Sequence, residues 1–186
     1  MDISNNNTIE HATLGGGCFW CTEAIYERTE GIVSVESGYS GGHVENPTYE
    51  QICGKQTGHA EVVRIAFDTS KISYSEVLEI FWATHDPTTL NRQGNDVGPQ
   101  YRSIIFYHND EQKAIAAASL KKTDASNQWS DPIVTFIESL ENYYKAEGYH
   151  QDYFEKDGGR NPYCVYVVKP KVDKFEKNFK AKLKKN

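Results

Sequence analysis

The segment Gly15-Gly16-Gly17-Cys18-Phe19-Trp20-Cys21 has the residue types of a nucleophile mounted on a helix start. Three glycines let the backbone turn sharply and come close to a ligand. A helix opening at Cys18 offers free amides and a positive dipole end, which stabilise a thiolate. A cysteine so placed is expected to have a depressed pKa and to act as a nucleophile. A lone cysteine is more often a small buried hydrophobe, but a core cysteine needs no glycine run. Phe19 and Trp20 follow directly. Adjacent residues on a helix diverge by about 100°, so both do not face one core while Cys18 stays open. At a helix start they wall a pocket beside the sulfur, suited to a small apolar or thioether group.

Two further regions carry polar chemistry. In the strand Ala60 to Phe67, Glu61 shares a face with Val63, Ile65 and Phe67. A carboxyl buried there has its pKa raised and suits a general acid at neutral pH. At a strand edge it reaches solvent instead, and the pattern leaves both open. The loop from Asp86 to Gln100 is longer than most connections in compact domains. It carries Asn91, Arg92, Gln93, Asn95 and Asp96, with Tyr101 at its exit. These groups are able to line a polar half-pocket.

The four cysteines are Cys18, Cys21, Cys53 and Cys164. Cys18-x-x-Cys21 is half a zinc knuckle, but the sequence has no second C-x-x-C or H-x-x-H pair, so no metal is expected. The polar start, Met1 to Asn7, has no basic leader and no apolar core of one. That predicts a cytoplasmic chain with reduced thiols, where redox chemistry is the better reading of its cysteines.

The elements that must position these groups read as follows. A strand, His11 to Leu14, ends at the glycines, and a helix runs from Cys18 to Thr29 with Gly31 as its stop. Ile32 to Tyr39 alternates as a strand, and Ala60 to Phe67 is another. Gly41 to Tyr49 reads as a loop. Ser73-x-x-Glu76 is a capping box before a helix through Trp82. Arg102 to His108 is a strand, Asn109-Asp110 caps a helix to about Lys122, and Ile133 to Ile137 is a strand. The first six elements give the split βαβ order. The predicted class is α+β, a two-layer sandwich with a ferredoxin-like core and a C-terminal extension.

Composition agrees with one catalytic domain over residues 1–186. At 186 residues, 38% hydrophobic and 25% charged, the chain is long enough to bury a core. A net charge of −6 argues against nucleic acid as a partner. No apolar run reaches the roughly 18 residues of a membrane span. Residues 169–186 differ: eight lysines against Asp173 and Glu176 give +6 there and −12 elsewhere. Val172, Phe175, Phe179 and Leu183 fall at helical spacing, so this basic tail reads as an amphipathic helix packed on the body. A monomer is expected.

Gly17-Cys18-Phe19-Trp20 resembles the active-site motif of the A-type peptide methionine sulfoxide reductases. The likeness continues through Gly38-Tyr39-Ser40-Gly41-Gly42, Asn46-Pro47-Thr48-Tyr49, Gly58-His59-Ala60-Glu61, His85-Asp86-Pro87-Thr88 and Asn91 to Gly98. It runs on through Gln100-Tyr101-Arg102-Ser103 to Ala146 to Tyr153. The resemblance implies reduction of the S epimer of methionine sulfoxide, free or in proteins, as repair after oxidation. It implies Cys18 as nucleophile, Phe19 and Trp20 around the S-methyl group, and Glu61 as the acid. It further implies Tyr49, Asp96 and Tyr101 as polar surroundings and Tyr153 as a further pocket wall. Cys18 would become a sulfenic acid, then condense with a second thiol. Thioredoxin is the implied reductant, and no cofactor is implied.

The resolving thiol is open. Cys164, beside a Gly158-Gly159 loop able to swing, is favoured. Cys21 is the rival, because residues i and i+3 share a helix face. Cys53 reads as a bystander. An external reductant attacking the sulfenic acid directly is also open. Two other functions compete: a thioredoxin-like thiol–disulfide oxidoreductase using Cys18 and Cys21, and a non-catalytic module capturing methyl-sulfur groups.

Overall fold

The structure is a computed structural model, and it describes residues 7–185. Most of the polar start, residues 1–6, lies outside the described residues. The chain forms β1 (Ile9–Gly16), α1 (Phe19–Glu27), β2 (Ile32–Ser40), α2 (Tyr49–Cys53), β3 (Ala60–Asp68) and α3 (Tyr74–Thr84). It continues through β4 (Arg92–Gln93), β5 (Asp96–Val97), β6 (Ser103–Tyr107), α4 (Asp110–Ala125), β7 (Phe136–Ser139) and β8 (Tyr144–Lys145). It ends in α5 (Tyr153–Asp157) and α6 (Lys169–Asn178).

The main sheet has the order β7-β6-β1-β3-β2-β8. Its centre, β6-β1-β3-β2, is antiparallel throughout and is the ferredoxin-like arrangement. β7 adds in parallel beside β6, and β8 adds antiparallel beside β2. β3 is therefore central, and its alternation sorts two layers. Val63, Ile65 and Phe67 join α1 and α3 in the main core, with Ile25, Leu78 and Phe81 among their neighbours. Ala60 and Val62 join Ile104 and Phe106 on the opposite face, packed by Leu140 and Tyr143. At this centre an edge position for Glu61 is gone, and its side chain is buried.

The antiparallel pairing of β1 with β3, Leu14 opposite Val63, brings the end of β1 to the start of β3. Cys18 follows the one and Glu61 lies on the other. The glycine run serves this crossing. A side chain at Gly15 would come 3.0 Å from the Glu61 carbonyl and 2.9 Å from Ile104. Gly17 has φ +94°, and a side chain there would strike Gln93 at 2.6 Å. The close approach is thus to the protein's own strands and loop.

The capping box on α3 forms as expected, Ser73 accepting from the Glu76 amide and Glu76 from the Ser73 amide. The tail is helical only in part. Val172 and Phe175 of α6 are buried in the main core. The helix stops at Asn178, and Leu183 instead bridges Thr29 at the end of α1. Among the described residues no helix is long and apolar enough to cross a membrane.

Candidate active site

Cys18 is the N-cap of α1, with φ −58° and ψ 126°. It lines a cavity of about 300 Å³ together with Phe19, Trp20, Tyr49, Glu61, Asp96, Tyr101, Asn161 and Tyr163. Of the residues read from the sequence as site groups, seven meet here. Tyr49 arrives on α2, a helix where a loop was expected. The helix is opened by a capping box of Thr48 with Gln51, a signal present in the sequence.

The long loop folds on itself. Gly94 turns between β4 and β5, which pair Gln93 with Asp96. The Gln93 side chain accepts from the Asp86 amide and donates to the Asp86 carbonyl. Only Asp96 and Tyr101 of this segment reach the cavity. Arg92 points back to the Gly94 carbonyl.

Glu61 is the most altered acid in the cavity. Burial pushes its pKa up to about 8, against the Phe19 amide, which donates to Oε1 at 3.2 Å, and with Asp96 adding to the rise. The carboxyl is therefore protonated near neutral pH.

For Cys18 the structure reverses the expected direction. The Trp20 amide does hydrogen-bond the sulfur and pulls its pKa down, as a helix start should. Burial is the larger effect and pushes the thiol well up, aided by Cys21 and the Glu61 carboxyl. The resting group is a thiol. The Cys18 thiol hydrogen-bonds the Cys21 sulfur, and that bond chiefly lowers Cys21.

Cys164 does not line the cavity. It is fully buried in the main core, at the start of the turn Cys164–Val168 that leads into α6. Burial and the Asp157 carboxylate raise its pKa to about 11, and its thiol bonds to Asp157. Cys21 is the sulfur in hydrogen-bond contact with Cys18. Cys53 is exposed, and its thiol meets the Tyr49 hydroxyl.

Tyr153 does not line the cavity. It stands one layer back, stacked on Trp20 with ring centroids 3.9 Å apart and planes 10° apart. The wall is instead completed by Tyr163, edge-on to Trp20, whose hydroxyl donates to Asp96. Asn161 and Tyr163 are the residues that sequence reasoning missed, although they lie in the Asn-Pro-Tyr-Cys segment flanking Cys164. A further carboxylate group, Glu23, Glu27 and Asp152, gathers oxygens within 4.8 Å on the α1 flank. Glu23 there accepts from Ser37 and from the Asp152 amide.

Comparison with known proteins decides the family. The family model for peptide methionine sulfoxide reductase matches residues 10–183. The chain belongs to the peptide methionine sulfoxide reductases. The reductase MsrA of Saccharolobus solfataricus is 58% identical over 176 residues, 95% of this chain and 98% of that one. That of Leptospira borgpetersenii is 59% identical over 175 residues, 94% and 98%. Among solved structures, the reduced form of Mxr1 from Saccharomyces cerevisiae superposes with a TM-score of 0.76 at 34% identity, covering 83% of this chain and 89% of that one. Mxr1 in complex with Trx2 gives 0.55 at 27%, covering 80% and 87%. This reductase is thus a methionine sulfoxide-reducing oxidoreductase with the α+β sandwich of its relatives. The thioredoxin-like and purely binding readings give way to it.

Proposed function

We propose that the chain reduces the S epimer of methionine sulfoxide, free and in proteins, through a Cys18 sulfenic acid, and that thioredoxin recycles it. The observation that carries this reading is the meeting of Cys18, a protonated Glu61 and the Phe19-Trp20 wall in one small cavity.

The chemistry follows from these groups. Phe19 and Trp20 hold the S-methyl group, while Tyr49, Tyr101 and Asp96 surround the sulfoxide oxygen. The Cys18 sulfur attacks the sulfoxide sulfur. Glu61 gives its proton to the oxygen, and the Cys18 thiol proton replaces it on Glu61. Such acid help contributes about 10²–10⁴-fold. The hydroxyl then passes from the substrate sulfur to the Cys18 sulfur as the transient S–S bond breaks, its electron pair going to the methionine sulfur. Methionine thus leaves reduced, and Cys18 is left as a sulfenic acid. A second thiol then attacks that sulfur and water departs, leaving a disulfide.

Contact favours Cys21 as that thiol. It already accepts a hydrogen bond from Cys18, so its sulfur stands beside the sulfenic acid as that forms. Positions i and i+3 at a helix start also suit disulfide geometry. Cys164 sits in the same core and is not needed for that bond. The Mxr1 complex with Trx2 supports thioredoxin as the dithiol that reduces the bond.

The test supplies thioredoxin, its reductase and a nicotinamide reductant, then offers each epimer of a methionine sulfoxide peptide separately. Sustained methionine formation from the S epimer alone is expected. Equal use of both epimers, or none of either, contradicts the reading.

A further inference from the structure

His150 is fully buried behind the aromatic wall. It ends the turn Gly148–His150, between β8 and α5. The Trp20 indole N–H donates to its Nδ1 at 3.1 Å. An indole nitrogen only donates, so Nδ1 is the bare nitrogen and Nε2 carries the hydrogen. Nε2 faces Glu147 Oε2 across 3.5 Å. Burial lowers the histidine pKa and favours this neutral form.

The ring also packs against three aromatic residues of the cavity lining. Its centroid lies 5.8 Å from Trp20, 4.5 Å from Tyr49 and 5.0 Å from Phe19. Glu147 accepts from the Tyr39 hydroxyl at 2.9 Å and the Tyr49 amide at 2.8 Å. Gln151 pairs with the amide and carbonyl of Ser37 on β2. Glu147 and Gln151 therefore hold the segment that carries the ring, whose Nε2 makes no hydrogen bond among the described residues, and the indole it meets has no other hydrogen-bond partner among them.

We propose that His150 is a positioning residue that sets the width of the methyl pocket. It fixes the Trp20 indole from behind and keeps it apart from Tyr49. This rests on the reading above, in which Phe19 and Trp20 hold the S-methyl group. Without the Nδ1 acceptor, the half-buried indole loses its one protein partner, and the ring turns to find another. The pocket then widens and admits larger alkyl groups.

The experiment uses His150→Phe, which keeps a ring and loses the acceptor, and His150→Asn, whose amide oxygen stands near Nδ1. Should His150→Phe not fold, His150→Gln removes the same acceptor. The first readout is the Trp20 indole N–H resonance in a 15N-labelled protein, assigned with Trp20→Phe. The second is KM and kcat for the S-sulfoxides of methionine and ethionine. Wild type is expected to disfavour the extra methylene by about 10–200-fold. His150→Phe is expected to shift the indole resonance and raise KM for methionine sulfoxide about three- to tenfold, with kcat held within about threefold. It should also lose most of the methyl-over-ethyl discrimination. His150→Asn should restore the indole resonance. An unmoved resonance, or an equal loss for both substrates, overturns the proposal. A wild type that reduces neither sulfoxide overturns the functional reading, while the resonance still tests the hydrogen bond.

Discussion

The amide of Phe19 donates to Glu61 Oε1 across 3.2 Å, so the residue after the nucleophile also holds the proton donor. One turn of backbone thus fixes the relation between the Cys18 sulfur and the acid. The same bond opposes the rise in the Glu61 pKa without cancelling the effect of burial.

The first prediction concerns this acid. Glu61→Ala should lower the single-turnover rate of sulfoxide reduction by about 10²–10⁴-fold, and Glu61→Gln by less, since its amide still donates a hydrogen bond. Rapid-quench measurement of methionine formed checks this. A wild-type rate in Glu61→Ala removes Glu61 from the chemistry.

The second is the pH dependence that follows. With its pKa raised to about 8, Glu61 is neutral below that value and ionised above it. Only the neutral form gives a proton. The single-turnover rate should therefore fall as pH rises through about 8. In Glu61→Gln that fall should vanish. The same falling limb in both proteins assigns it to another group.

The third separates the thiols. After one turnover without reductant, peptide mass mapping should find Cys18 joined to Cys21. Cys21→Ser should leave a sulfenic acid that dimedone traps. Cys164→Ser should form the Cys18–Cys21 bond at the wild-type rate. A Cys18–Cys164 bond in wild type instead makes Cys164 the resolving thiol.

The fourth is a stability profile. Glu27 lies in the carboxylate cluster with Glu23 and Asp152, and burial with these neighbours raises its folded pKa from 4.5 to about 9. The folded state therefore favours the protonated form. Its contribution is lost as pH rises from the unfolded value through about 9. Glu27→Gln keeps a neutral group, so its Tm advantage over wild type should grow between pH 5 and pH 9. Parallel Tm profiles contradict this.

The parts of the site that were legible in sequence are those set by local pattern. Period-two alternation put Glu61 with Val63, Ile65 and Phe67, and the sheet buries that face. The glycines before Cys18 read as room for a ligand, whereas the neighbours they admit are Gln93 and the Glu61 backbone. What local pattern did not show depends on burial and long-range packing. The helix start does pull the Cys18 pKa down, but only the folded chain reveals how much surface covers the sulfur. Tyr153 and Tyr163 are both near the cavity, and which one lines it is decided by how α5 and the turn before α6 pack on Trp20. The amphipathic spacing of the tail was real, yet Leu183 satisfied it through a bridge to Thr29 rather than a longer helix.

The most direct test of Cys18 as the reducing atom is a reductant-free turnover. Reduced protein is mixed with excess peptide carrying methionine S-sulfoxide, and methionine is counted per chain against Cys18→Ser. About one methionine per wild-type chain and none from Cys18→Ser is the expected result, the chain holding one set of reducing thiols around Cys18. Methionine formed by Cys18→Ser, or none from the wild type, contradicts it.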